Sequence, residues 1–257
     1  MTASESSSAT SANASLTLSR AAGSSFYLAL LTVLLAILGS LGTRWGWWPF
    51  RVGFIAMLGA VLCGLTAIVL AIVGLIGTRR GKSKYGGKWA FAGLIISLIV
   101  LALPLSLTIS GFRLPPIHDI TTDTEKPPSF VAILQLRKDA DNPSDYGGPE
   151  VAAQQQKAYP NVRPATLAVS PSEAFTKALG VARQTGWEIV DANAGEGRIE
   201  ATARTFWFGF KDDVVIRVTP AGTGSRVDIR SVSRVGTSDV GANAKRIEKF
   251  LNKLSQS

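Results

Sequence analysis

The sequence predicts a membrane-anchored protein, three transmembrane α-helices followed by an α+β two-layer domain with an antiparallel sheet packed on two helices. Three observations predict it. Charge-free apolar runs occupy residues 26–42, 52–77 and 89–109, and about 20 residues at 1.5 Å each cross the hydrocarbon. Four alternating or β-branched segments lie in succession between residues 187 and 234, divided by Gly and Pro turns, which favours antiparallel pairing. Helical signals flank those segments on both sides.

Residues 1–25 are rich in Ser, Ala and Thr, with Leu16 and Leu18 the only large aliphatics after Met1. So few apolar side chains do not offset the entropy of ordering a chain, and the segment reads as a disordered polar tail. A cleavable signal peptide fits poorly, because a polar leader holding one basic residue precedes the apolar run and no small-x-small site follows it. Trp45, Trp47, Trp48 and Trp89 stand at the ends of the three runs, where an amphipathic indole prefers the headgroup layer.

Composition agrees with this division. Hydrophobic residues make up 46% of the 257 and charged residues only 18%, against about 25% in an ordinary soluble domain. Of the formal net charge of +9, residues 26–111 carry seven basic groups and no acid, whereas the segment after them is close to balanced. The pI of 9.9 therefore reports membrane topology, and a nucleic-acid partner is excluded for want of a fold-sized basic face.

Loop charge sets the orientation. Thr78–Lys88 holds five basic residues and Thr43–Arg51 two, which keeps the former in the cytoplasm and places the N-terminus inside. The domain after residue 111 is then exported, in a bacterium from the inner membrane into the periplasm. The single Cys63 lies in the second run and forms no intrachain disulfide, so cysteine usage does not settle the compartment. Ala56, Ala60 and Gly64, Ala67 and Ala71, and Gly93 and Ser97 recur four apart. This spacing reads as close packing of the spans on one another rather than a homodimer face, and specifies no oligomeric state. No Asp, Glu, Lys, Arg or His lies within a run, which removes most support from transporter and channel readings.

Residues 112–164 hold eight of the twelve prolines and read as an extended, linker-like stretch. Phe130–Leu136 within it suits a short strand or a plug under the domain, and Val151–Ala158 a short helix. The compact domain is expected over 165–257. Ser170-Pro171-Ser172-Glu173 is a capping box with proline at the first helical position, opening a helix that Gly186 stops. A strand at Thr166–Val169 leads in. A last helix is expected from about Ser238, with Val240, Ala244, Ile247, Leu251 and Leu254 on one stripe.

Alternation assigns the sheet faces. Ile199, Ala201, Ala203, Val214, Ile216, Val218, Val227 and Ile229 point to the helices, whereas Arg198, Glu200, Arg204, Arg217, Asp228, Arg230 and Arg234 point away. That second face reads as a solvated cross-strand grid of charge, ahead of a binding surface.

Signatures of chemistry are sparse. Gly77 to Ser83 lacks the glycine spacing and the preceding strand of a phosphate loop, and there is no HExxH, GxSxG, paired CxxC or dinucleotide fingerprint. No cofactor is expected. His118 is the only histidine; with Asp119 and Asp123, and with Asp212 and Asp213 if the chain folds back, it would form a base or a hard-metal site. The more general reading is a histidine held in a loop. A second cluster comprises Arg230, Ser233, Arg234, Asp239 and Asn243, where a strand turns into a helix N-terminus. Such a corner offers N–H groups and arginines to an anion, although closure of the corner itself explains the same residues.

The segments PPIHDITTD (115–123), YPNVRP (159–164), GRIEATARTFWFGFKDDVVIRV (197–218) and VDIRSVSRVGTSDVGANAKRI (227–247) resemble the bacterial and plastid family called domain of unknown function 1499. The resemblance spans nearly all of 115–254, and the three-helix unit is similar to the membrane anchor of some members. It implies no established activity, substrate or cofactor. The expected function is thus a non-enzymatic binding or assembly module of the cell envelope, whose partners are the bilayer and an envelope protein or anionic ligand. The alternative is a hydrolase or metal-assisted enzyme built on His118.

Overall fold

The computed structural model describes residues 17–79 and 84–257. Most of the expected polar tail and the middle of the basic loop at residues 80–83 lie outside the described residues. The chain divides into two compact units, one of residues up to Gly42 with Trp48–Leu103, the other of Thr43–Trp47 with Pro104–Ser257.

Three helices dominate the first unit, α1 (Arg20–Arg44), α2 (Phe50–Gly77) and α3 (Gly87–Arg113). Each is long and apolar enough to cross a membrane. Helix α1 begins six residues before the apolar run, where the Ser19 hydroxyl accepts from the Ala22 amide at 3.4 Å and Ala21 and Ala22 are strong helix formers. A two-residue strand β1 (Thr17–Leu18) pairs in parallel with β2 (Lys84–Tyr85). The small residues face their neighbours: a Cβ at Gly39 would meet the Gly53 carbonyl at 2.9 Å, and one at Gly93 the Ser25 carbonyl at 2.9 Å. Ala60, Ala67, Ala71 and Ser97 are buried, as backbones in close approach require.

The second unit is built on a six-stranded sheet in which every pairing is antiparallel. Its strands are β3 (Asp119–Thr121), β4 (Ala165–Leu167), β5 (Glu188–Asn193), β6 (Arg198–Arg204), β7 (Lys211–Ala221) and β8 (Gly224–Ser233). Five follow the order β3-β8-β7-β6-β5, and β4 pairs with the far half of β8. Helices α5 (Pro171–Gln184) and α6 (Ala242–Leu254) cover one face, packing Phe175, Val181, Ile247 and Phe250 on Ile199, Val214, Ile216 and Ile229. Ser170 caps α5 by accepting from the Glu173 amide at 3.2 Å.

The second face departs from the expectation of a solvated grid. A 3₁₀ helix at Ala132–Arg137 lies across it, and Phe130 and Ile133 pack on Val215 and Val232. Glu200, Asp213 and Asp228 are all 0% exposed. Part of the stretch expected as a proline-rich linker is therefore a third layer of the domain. Helix α4 (Gly148–Ala158) closes the edge of β3: the Gln155 amide donates to the Thr121 carbonyl at 2.7 Å and accepts from its N–H at 2.9 Å. A side chain thus satisfies an edge strand that another chain would otherwise pair with.

Helix α6 starts four residues later than Ser238. Gly236, Val240 and Gly241 all take positive φ, so the intervening turn is not helical.

Candidate functional site

The alternation of β6, β7 and β8 delivers every second side chain to the face beneath the 3₁₀ helix. There the charged residues form pairs. Arg230 lies bidentate on Asp119, Nε to Oδ1 at 2.9 Å and Nη2 to Oδ2 at 2.7 Å, and also donates to the carbonyls of Pro128 and Ser144. The rings of Phe130 and Tyr146 flank its guanidinium at 5.2 and 5.6 Å. Arg234 grips Asp213 through Nε and Nη2, both at 2.8 Å, while Arg137 reaches the same carboxylate at 2.7 Å. Asp123 and Asp228 share Arg217 and Arg226.

Glu200 is held differently. Its carboxylate accepts from the backbone N–H groups of Val131, Ala132 and Ile133 at 2.9, 3.2 and 2.8 Å, with Arg198 at 3.2 Å. These are the unpaired donors at the start of the 3₁₀ helix, where a negative charge is favoured.

On the opposite face, the corner between β8 and α6 is closed by Asp239 and Asn243. The Asp239 carboxylate accepts from the N–H groups of Gly241 and Asn243, both at 2.8 Å. Buried Asn243 accepts from the Ser231 hydroxyl at 2.7 Å and donates to Ser233 Oγ and the His118 carbonyl, both at 3.0 Å. Arg246 donates to Ser231 and Asn243 and reaches Asp212 at 2.5 Å.

These placements separate the residues that the sequence grouped. Ser233, Asp239 and Asn243 meet at the corner, but Arg230 and Arg234 leave β8 on the other face, so the five do not converge on an anion. His118 and its carboxylates are divided in the same way. The His118 ring nitrogen Nδ1 lies 3.4 Å from the Thr237 carbonyl, Asp212 is held by Arg246, and Asp119, Asp123 and Asp213 lie under the 3₁₀ helix side. Asp212 is registered opposite Ser233, whose amide donates to the His118 carbonyl. Two strand spacings, about 10 Å of backbone, thus separate His118 from Asp212. Among the described residues no three His, Cys, Asp and Glu side chains group to hold a metal.

Electrostatics follow the same geometry. Burial pushes the Asp119 and Asp239 carboxyls above their ordinary value, against the pull of Arg230 on the one and of the Asn243 and Gly241 amides on the other. Partial burial would also raise Asp123, but the Lys126 amide, Arg217 and Arg226 hold it below. The Tyr146 and Tyr159 hydroxyls are buried, and both are pushed up to about 12.

Sequence reasoning missed Arg137, Asn142 and Gln155. The Asn142 side chain ties the segment to β8 by donating to the Ser233 and Gly236 carbonyls at 3.0 and 2.9 Å. The available signal was an arginine closing the apolar run FVAILQL. An open cleft of about 300 Å³ at Thr122, Gln155, Tyr159 and Arg163 is lined by neither His118 and its carboxylates nor the residues of the β8–α6 corner.

Asp213 and Asp228 each accept four hydrogen bonds, two per oxygen, and so tie together the segments that supply the donors. No curated relative matches the chain. The family model described as protein of unknown function (DUF1499) matches residues 119–254, from the first strand of the sheet to the last turn of α6. The chain belongs to the DUF1499 family.

Proposed function

We propose that this protein is a non-enzymatic binding or assembly module of the bacterial cell envelope, anchored in the inner membrane with its N-terminus in the cytoplasm and its domain in the periplasm. The observation that carries the reading is that Asp119, Asp123, Asp212 and Asp213 each hold an arginine, while the His118 ring faces a backbone carbonyl. A base and its orienting acid are not assembled there. With Arg230 and Arg234 engaged internally, a protein partner suits the domain better than an anion at that corner.

Two measurements test this reading. The full chain in nanodiscs, offered a panel of esters, phosphoesters and glycosides, shows no turnover that depends on His118; turnover abolished by His118→Ala would overturn the non-enzymatic assignment. For orientation, a C-terminal alkaline phosphatase fusion is active and a GFP fusion dark. The reverse pattern would put the domain in the cytoplasm.

A further inference from the structure

The turn joining β6 to β7 reads Thr205-Phe206-Trp207-Phe208-Gly209-Phe210, four aromatic residues in six. Aromatic side chains normally enter a core, since each buries roughly 150–250 Å², yet Phe206 is 74% exposed and Trp207 47%. The turn is not slack. Thr205 and Phe210 exchange two hydrogen bonds of 2.9 Å, from the Thr205 amide to the Phe210 carbonyl and from the Phe210 amide to Thr205 Oγ1. The Phe206 and Trp207 rings meet edge to face at 5.0 Å, and Phe208 stacks on Phe210 at 5.4 Å. A rigid hairpin therefore presents the apolar tip.

Three further observations say what covers it. Arg204 and Lys211 flank the tip, both exposed, with Arg204 only loosely engaged by Glu188 at 3.6 Å; an apolar tip between cations suits the headgroup layer. The same compact unit takes in Thr43–Trp47, where Arg44 donates to the Thr205 and Phe206 carbonyls at 2.8 and 2.7 Å and Trp45 and Trp47 are 58% and 60% exposed. Finally, only residues 114–118 connect the end of α3 to the start of β3, a reach of about 17 Å when extended. So short a tether limits how far the start of β3 can move from the end of α3.

We propose that the tip of the β6–β7 hairpin is a second membrane anchor, an aromatic wedge that seats Phe206 and Trp207 in the headgroup layer of the bilayer the chain itself crosses and fixes the domain's orientation on it. This goes beyond the binding-module reading and stands without it. The test uses the full chain with Cys63→Ser and either Phe206→Cys or Ala194→Cys, labelled with an environment-sensitive fluorophore in phosphatidylcholine and phosphatidylglycerol liposomes. Ala194 is exposed in the turn at the other end of β6. The label at 206 is expected to shift to the blue and to be quenched several-fold more by a lipid carrying a nitroxide near the headgroup than the label at 194. Equal quenching at the two positions would overturn the proposal: water-like emission at 206 would then mean a bare tip, and blue emission there a tip covered by protein.

Discussion

Arg230 of β8 and Asp119 of β3, 111 positions apart in sequence, meet in a bidentate pair at 2.9 and 2.7 Å, with side chains 4% and 6% exposed. Removing one member leaves the other's charge buried and uncompensated, which costs about 3–5 kcal/mol. Arg230→Ala and Asp119→Ala are each expected to destabilise the protein by that order. The double variant is expected to recover about 2 kcal/mol of the summed loss, because contacting residues do not add independently. Denaturant titration of the full chain in detergent checks the cycle; strict additivity would show that the pair is not coupled.

Glu200 is expected to hold the third layer in place. Glu200→Gln keeps the shape but sets an amide donor against the N–H groups of Val131, Ala132 and Ile133, weakening charge-assisted bonds worth about 1.5–3 kcal/mol each. Hydrogen exchange should accelerate at residues 131–133 before it does so at β7. Unchanged protection there would mean that the apolar contacts of Phe130 and Ile133 suffice.

Asp123 supplies a dependence on pH. Its folded-state carboxyl is held below the ordinary value of 3.8, so its contribution to stability is complete above that value and is lost as pH falls through the folded one. The melting temperature of wild type should exceed that of Asp123→Asn at pH 7, and the gap should close below about pH 4. A gap constant down to pH 3 would refute the assignment.

Val240 carries backbone strain. Among the described residues it is the one non-glycine at positive φ, +50°, a region that disfavours β-branched residues by roughly 1–2 kcal/mol and that Asn enters readily. Val240→Asn should raise stability by about 1 kcal/mol. Calorimetry of the full chain checks it, and a clear loss would mean that valine's packing outweighs the strain.

The parts of the fold that rest on periodicity were legible. The capping box at Ser170 and the alternation of β6, β7 and β8 state which residues share a face, and those faces are the ones observed. What alternation does not state is whether anything covers the second face. The covering segment takes its shape from contacts distant in sequence, the backbone N–H groups of residues 131–133 meeting Glu200 and Arg137 meeting Asp213, and its prolines mask the regular signals. The corner misled for a local reason: Ser238 resembles an N-cap, but Asp239 does the capping from outside a left-handed turn at Val240 and Gly241.

The claim that these arginines weld a third layer to the sheet, rather than await a ligand, is tested most directly by thermal unfolding of the full chain carrying Arg234→Ala. Asp213 is 0% exposed and takes two bonds from Arg234. Because Arg137 still reaches Asp213 at 2.7 Å, the expected loss is that of the charge-assisted bonds, about 1.5–3 kcal/mol, roughly 5–10 °C for a domain of this size. An unchanged melting temperature would contradict it.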